Sequence, residues 1–159
     1  MKREIERRFL VRTASWRAEA SAGALCRQAY LHSEPACTVR VRLMDDAQGG
    51  RAWLTVKGRT EGLARDEFEY PIPVEDATRL LALATAGRVE KRRHRLEAGG
   101  MCWEIDVFAG DNAGLVLAEI ELEREDQDFA RPDWLGEEVT GDARYTSACL
   151  AMRPYSGFV

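Results

Sequence analysis

The sequence predicts a mainly β protein, an eight-stranded antiparallel barrel with helices packed outside it. Three observations lead there. Apolar and polar residues alternate with a period of two over eight separate segments, 3–11, 25–32, 37–44, 51–58, 65–72, 89–97, 101–109 and 115–124. Turn signals punctuate them, with Gly49-Gly50 between the third and fourth and Gly99-Gly100 between the sixth and seventh. Only one internal stretch reads as firmly helical, and closing the strands into a ring removes the unpaired edges that an open sheet would expose.

The first strand, Glu4-Ile5-Glu6-Arg7-Arg8-Phe9-Leu10-Val11, puts Glu4, Glu6 and Arg8 on one face. Residues 13–23 suit a short helix started by Ser15. The third strand sets Thr38, Arg40 and Arg42 against Val39, Val41 and Leu43, and the fourth sets Trp53, Thr55 and Lys57 against Leu54 and Val56. In the fifth, Arg65, Glu67 and Glu69 oppose Phe68 and Tyr70 less cleanly. The helix spans 74–86: it begins Val-Glu-Asp after Pro73 and carries Ala77, Leu80, Leu81, Leu83 and Ala84 along one side. The sixth strand aligns Lys91, Arg93 and Arg95, and the seventh opposes Glu104 and Asp106 to Ile105 and Val107. The eighth opposes Glu119, Glu121 and Glu123 to Ile120 and Leu122. Beyond residue 125, Pro132-Asp133-Trp134-Leu135 suggests a helical turn and 143–151 a short terminal helix. No linker, fixed-length repeat or low-complexity stretch interrupts the chain, so 1–159 is expected to form one domain.

Composition narrows the function classes. A hydrophobic fraction of 45% with 31% charged residues fits a soluble globular chain. No apolar run approaches the ~20 residues of a membrane helix, and the first residues are charged, which argues against a membrane partner or an export signal. A net charge of −4 argues against a general nucleic-acid binder, while leaving room for a local cationic pocket. Cys26, Cys37, Cys102 and Cys149 form no Cys-x-x-Cys pair and read as reduced thiols of a cytoplasmic protein. His32 and His94 are too far apart in sequence to found a metal site.

One strand with a charged face is ordinarily a strand with a solvated face. Here the pattern recurs, and the signs segregate. The first and the last two strands carry mainly carboxylates, while the third, fourth and sixth carry mainly Arg and Lys. An acidic and a basic wall facing one lumen would suit a metal-bound polyanion. Mg²⁺ or Mn²⁺ takes hard carboxylate oxygens, and Arg and Lys grip phosphate oxygens.

At this point the chain resembles a known family. Glu4-x-Glu6-x-Arg8 is similar to the Glu-x-Glu-x-Lys signature of the CYTH domain, the triphosphate tunnel metalloenzymes. The resemblance extends in order through Arg27-Gln28-Ala29-Tyr30-Leu31, Thr38-Val39-Arg40-Val41-Arg42, Leu54-Thr55-Val56-Lys57-Gly58 and Glu67-Phe68-Glu69-Tyr70. It continues through Glu90-Lys91-Arg92-Arg93, Trp103-Glu104-Ile105-Asp106-Val107-Phe108 and Ala118-Glu119-Ile120-Glu121-Leu122-Glu123. It implies an eight-stranded barrel forming a tunnel and a metal-dependent hydrolase of small-molecule triphosphates. The small bacterial members most like this chain cleave inorganic tripolyphosphate to pyrophosphate and phosphate.

Carried onto matching positions, the resemblance implies that Arg8, Arg40, Arg42, Lys57, Lys91 and Arg93 hold the triphosphate. Glu4, Glu6, Asp106, Glu119 and Glu121 would bind Mg²⁺ or Mn²⁺, with Glu67 and Glu69 as further acidic wall. Glu6 and Glu121, with Tyr30 and Lys91, would form the catalytic set. In the family's two-metal picture one ion neutralises the phosphate chain and another activates water. A matching Tyr and Lys interact in the tripolyphosphatase-like members and favour inorganic substrate, although an isolated strand tyrosine is ordinarily a wall aromatic. Two departures stand out. The signature Lys is Arg8, which keeps the charge but replaces a compact ammonium with a planar fork; and Ala29 stands where relatives often have Gly. The segment around Ser147 resembles a terminal helix closing one end of the tunnel, or equally a helix capping the core. Alternatives are a class IV adenylate cyclase or a nucleoside or thiamine triphosphatase, for which Trp53 could stack on a base, and a triphosphate-binding module without chemistry. Exposed outer helices would also allow a homodimer.

Overall fold

The computed structural model describes residues 2–158. Its strands are β1 (Lys2–Val11), β2 (Ala24–Glu34), β3 (Cys37–Asp46), β4 (Gly49–Gly58), β5 (Ala64–Ile72), β6 (Arg88–Ala98), β7 (Met101–Phe108), β8 (Val116–Glu121) and β9 (Leu135–Glu138). Helix α1 (Val74–Leu83) follows β5, and α2 (Ser147–Met152) lies near the end of the chain. The sheet runs β5-β4-β3-β2-β6-β7-β8-β1-β9, and an additional β5–β1 pairing closes its first eight-strand circuit into a ring. Every pairing is antiparallel. All eight strands expected from the alternating pattern are present and form the ring.

Two expectations are corrected and one is extended. The turn expected at 132–135 is present, with the Leu135 N–H donating to the Pro132 carbonyl oxygen at 3.0 Å, but it leads into an unexpected ninth strand, β9, which adds to β1 beside β5 through Phe9–Glu138 and Val11–Leu135. Gly136 permits this approach, since a Cβ there would lie 2.9 Å from the Leu10 carbonyl oxygen. The helix at 13–23 shrinks to a 3₁₀ turn, Ser15–Ala18, and the Ser15 hydroxyl bonds Thr13 at 2.9 Å instead of capping the turn. The terminal helix is split: Thr146 is extended between a 3₁₀ turn at Ala143–Tyr145 and α2, and its Oγ1 accepts from the Cys149 N–H at 3.2 Å. Helix α1 starts as expected after Pro73 and stops earlier, because Ala84 is already extended at φ −67° and ψ 129°.

The alternation sorts side chains by face. Phe9, Trp103, Ile105 and Ile120 point out of the ring and meet Trp16 and Trp134 from the two long connections and Leu135 of β9. Trp103 stacks edge-on against Phe9 at 5.8 Å and Trp134 at 5.4 Å. Each aliphatic or Phe side chain so buried contributes about 1.5–3 kcal/mol. Ala29, Val41, Leu43 and Ala52 form a second outer core under α1, which covers it with Ala77, Leu80 and Leu81.

The inner face changes character along the strands. Val89 and Leu117, two residues from Lys91 and Glu119, join Phe108, Leu115, Val139 and Leu150 in an apolar cluster inside one end of the ring. Helix α2 closes that end. Its seat depends on Gly87 (φ +94°), where a Cβ would stand 2.3 Å from the Ala151 carbonyl oxygen. Gly87→Ala combines this clash with a disfavoured backbone. It should lower unfolding stability by more than ~1 kcal/mol in urea titration, and an unchanged midpoint would mean that α2 is not fixed there.

Candidate active site

Closure at one end leaves a cavity of about 450 Å³ inside the ring, lined from every one of its eight strands and from Thr146, Ser147 and Ala148. The expected residues Glu4, Glu6, Arg8, Tyr30, Arg40, Arg42, Lys57, Lys91, Arg93, Glu119 and Glu121 all line it, together with Glu67 and Glu69. Asp106 is the exception. It is fully buried behind the wall, where Lys91 Nζ donates to Oδ2 at 2.6 Å and Arg93 donates to both oxygens at 2.7 Å.

Strand register explains the juxtapositions. Antiparallel pairing places Glu6 directly opposite Glu121, and Glu104 directly opposite Glu119. Like charges so placed repel, and they hold only with cations among them. Those cations come from neighbouring positions on the same inner face. Arg8 Nη2 donates to Glu6 Oε1 at 2.5 Å and its Nε to Glu119 Oε1 at 2.9 Å. Arg93 Nη2 reaches the other Glu119 oxygen at 3.1 Å, and its Nη1 bonds Glu104. Along the wall from β1 through β5 to β4, Lys57 Nζ donates to both Glu4 oxygens at 2.8 Å and pairs with Glu67 at 2.9 Å, while Arg65 Nε donates to Glu4 at 2.8 Å.

Titration follows these contacts. Burial works against ionised Glu4, but Lys57 and Arg65 outweigh it and hold the carboxyl down at about 2. Burial also opposes ionised Glu119, and Arg8, Arg93 and Lys91 together carry it well below the usual carboxylate range. Glu6 goes the other way: burial and the Glu119 charge push its carboxyl up despite Arg8. The Lys57 ammonium is lowered because burial and nearby Arg40 exceed the attraction of Glu4. Arg42 is lowered by burial and by the charges of Arg40 and Arg93.

The basic wall is incompletely satisfied. Arg40 Nε and Arg42 Nε are buried and have no hydrogen-bond partner, and Gln28 Nε2, on the adjacent strand opposite Arg42, shares that state. A buried donor without an acceptor costs about 1–3 kcal/mol. Two such guanidinium donors in the wall of a polar cavity fit an oxyanion ligand. On the opposite side, hard carboxylate oxygens in repelling pairs fit a divalent cation.

Sequence reasoning missed Arg65 and Glu104 as site residues, although each lies at the right parity: Arg65 with Glu67 and Glu69, Glu104 with Asp106. Gln28, two residues from Tyr30 and 1% exposed, does not line the cavity. His94, buried against Trp16 with Nδ1 2.8 Å from the Ser21 carbonyl oxygen, is part of the outer packing.

Comparison with known proteins decides the family, since the CYTH domain profile matches residues 2–154. The chain belongs to the CYTH family. Among CYTH relatives, it is 43% identical over 159 residues to the inorganic triphosphatase of Acetivibrio thermocellus, covering 99% of each protein. It is 41% identical over 152 residues to the inorganic triphosphatase of Nitrosomonas europaea, covering 94% of this chain and 97% of that one. The crystal structure of the inorganic triphosphatase NE1496 superposes with a TM-score of 0.68 at 36% identity, covering 96% of both chains. The eight-strand ring, the apolar end and the charged lumen are thus this chain's form of the CYTH fold.

Proposed function

We propose that the protein is a divalent-metal-dependent inorganic triphosphatase that cleaves tripolyphosphate to pyrophosphate and phosphate inside the ring. The observation that carries this reading is the pair of buried, unpartnered guanidinium donors, Arg40 Nε and Arg42 Nε, in an enclosed cavity that also holds Lys57, Lys91 and Arg93. Two relatives more than 40% identical carry the name inorganic triphosphatase, which supports the same reading.

Arg40, Arg42, Lys57, Lys91 and Arg93 bind the phosphate oxygens, and Arg8 contributes from the acidic side. Phosphoryl transfer asks chiefly for positioning and for charge stabilisation, which such a wall supplies. Glu4, Glu6, Glu119 and Glu121 are the residues that would hold Mg²⁺ or Mn²⁺. Bound there, the ion supplies neutralising charge and a water of lowered pKa. Asp106 is reassigned on its geometry: with both oxygens held by Lys91 and Arg93 and no exposure to the lumen, it positions the cations and is not a metal ligand. Tyr30 stands in the same wall as Lys91, whose ammonium is hydrogen-bonded to Asp106. The four free thiols suit a reducing cytoplasm.

Phosphate release from tripolyphosphate and from ATP, each with Mg²⁺, Mn²⁺ or EDTA, tests the proposal. Metal-dependent release from tripolyphosphate well above that from ATP is expected. Preference for ATP, or formation of cyclic AMP, would replace it with a nucleotide-acting enzyme.

A further inference from the structure

Arg8 stands where the family signature has Lys, and the structure gives that substitution a physical consequence. In β1, Glu6 and Arg8 share the inner face, and Arg8 lies opposite Glu119 of β8. Its guanidinium spans the two acids, 2.5 Å from Glu6 Oε1 and 2.9 Å from Glu119 Oε1. All three side chains are largely buried, at 11% exposure for Arg8 and Glu119 and 21% for Glu6. The second oxygen of Glu119 is held by Arg93, and both oxygens of Glu4 are held by Lys57. Protein cations are thus interleaved with the acids. Among the described residues no group of three or more His, Cys, Asp and Glu side chains is arranged to hold a metal ion.

A divalent ion that bridges Glu6 and Glu119 from the face Arg8 occupies competes with it for Glu6 Oε1 and Glu119 Oε1. To take them it must leave a largely buried guanidinium unpaired, which is far costlier than breaking an exposed ion pair. A phosphate oxygen removes that cost, because it accepts a forked, charge-assisted bond from the displaced arginine. Loss of Arg8 without a replacement cation would leave Glu6 and Glu119 repelling each other.

We propose that Arg8 is a resident counter-ion that keeps the Glu6–Glu119 pair closed to free divalent metal and yields it when a triphosphate oxygen takes the guanidinium. The metal is then accepted together with the triphosphate, as its complex. This rests on the triphosphatase reading of the same cavity. Linkage makes the coupling reciprocal, so metal at the acids in turn favours Arg8 on phosphate.

Mn²⁺ binding to the substrate-free protein, read from the resonance of free Mn²⁺, tests this. Wild type should bind Mn²⁺ only in the millimolar range. Arg8→Gln should bind at least ~10-fold more tightly, about 1.4 kcal/mol. Arg95→Gln also deletes a lumen-lining charge, but Arg95 pairs at the exposed rim with Glu104 at 3.3 Å. It should tighten binding less than ~3-fold, since exposed charges are screened. Equal affinity in wild type and Arg8→Gln, or an equal gain in both variants, overturns the proposal. If Arg8→Gln does not fold by circular dichroism, wild type decides alone: micromolar Mn²⁺ binding without substrate overturns the proposal, and millimolar binding supports it. Tripolyphosphate turnover by wild type is measured in parallel. Turnover without the Arg8 effect removes the counter-ion role and leaves the triphosphatase standing. The Arg8 effect without turnover keeps the competition for metal and overturns the hand-over to triphosphate.

Discussion

Asp106→Asn should destabilise the protein by about 3–5 kcal/mol, the cost of breaking a buried ion pair by removing one partner. Asp106 is fully buried, Lys91 is 1% exposed, and the carboxylate is the acceptor for Lys91 and for two nitrogens of Arg93. Burial alone would raise its pKa, but Arg93 and Lys91 outweigh that and keep it lowered, so the group is an anion at neutral pH. An asparagine amide turns a donor toward donors and leaves two cations sharing the remaining acids. Urea unfolding measures the loss, and a change below ~1 kcal/mol would mean that Asp106 does not anchor the basic wall. Tripolyphosphate turnover should fall with it, because Lys91 and Arg93 lose their alignment. Adding Lys91→Met to Asp106→Asn removes one stranded cation and should recover part of the stability without recovering turnover. The non-additivity isolates the pair.

Glu6→Gln should have the opposite profile: a folded protein with metal-dependent turnover reduced by ~10²-fold or more. Glu6 faces Glu121 across the strand pair, and burial together with Glu119 already pushes its carboxyl up. The amide keeps the shape, still accepts from Arg8 and relieves the repulsion, so the melting temperature should hold or rise. What disappears is an anionic oxygen ligand. Full activity with Mg²⁺ in this variant would sink the assignment of the acidic wall.

Much of this site can be read in the sequence because a strand writes its two faces at alternate positions. Glu4-x-Glu6-x-Arg8 and Thr38-x-Arg40-x-Arg42 specify one inner face, and the apolar residues between them specify the outer core. Depth is another matter. Parity places Asp106 beside Glu104, yet only the packing of Lys91 and Arg93 around it separates a carboxylate behind the wall from one in the lumen. The β9 segment, Leu135-Gly136-Glu137-Glu138, has a single large apolar residue and is too short to show a period, so the neighbouring Pro132-Asp133 turn signal dominates. The bridging of Arg8 also lies beyond sequence, since it depends on β1 and β8 pairing in one register.

That pairing also fixes an order of assembly. Strands β2, β3 and β4 each pair with their immediate successor and can form as each hairpin is synthesised. β1 is made before them and cannot yet be placed, because one edge needs β8 (Val116–Glu121) and the other is shared by β5 and β9 (Leu135–Glu138). Contacts so distant in sequence form slowly. On the ribosome, the nascent chain therefore carries Arg8 well before Glu119, the acid its Nε bonds, exists to pair with it. Pairing of the Arg8 guanidinium is thus a late event in the life of the chain, completed when β1 is inserted between β8 and the edge shared by β5 and β9.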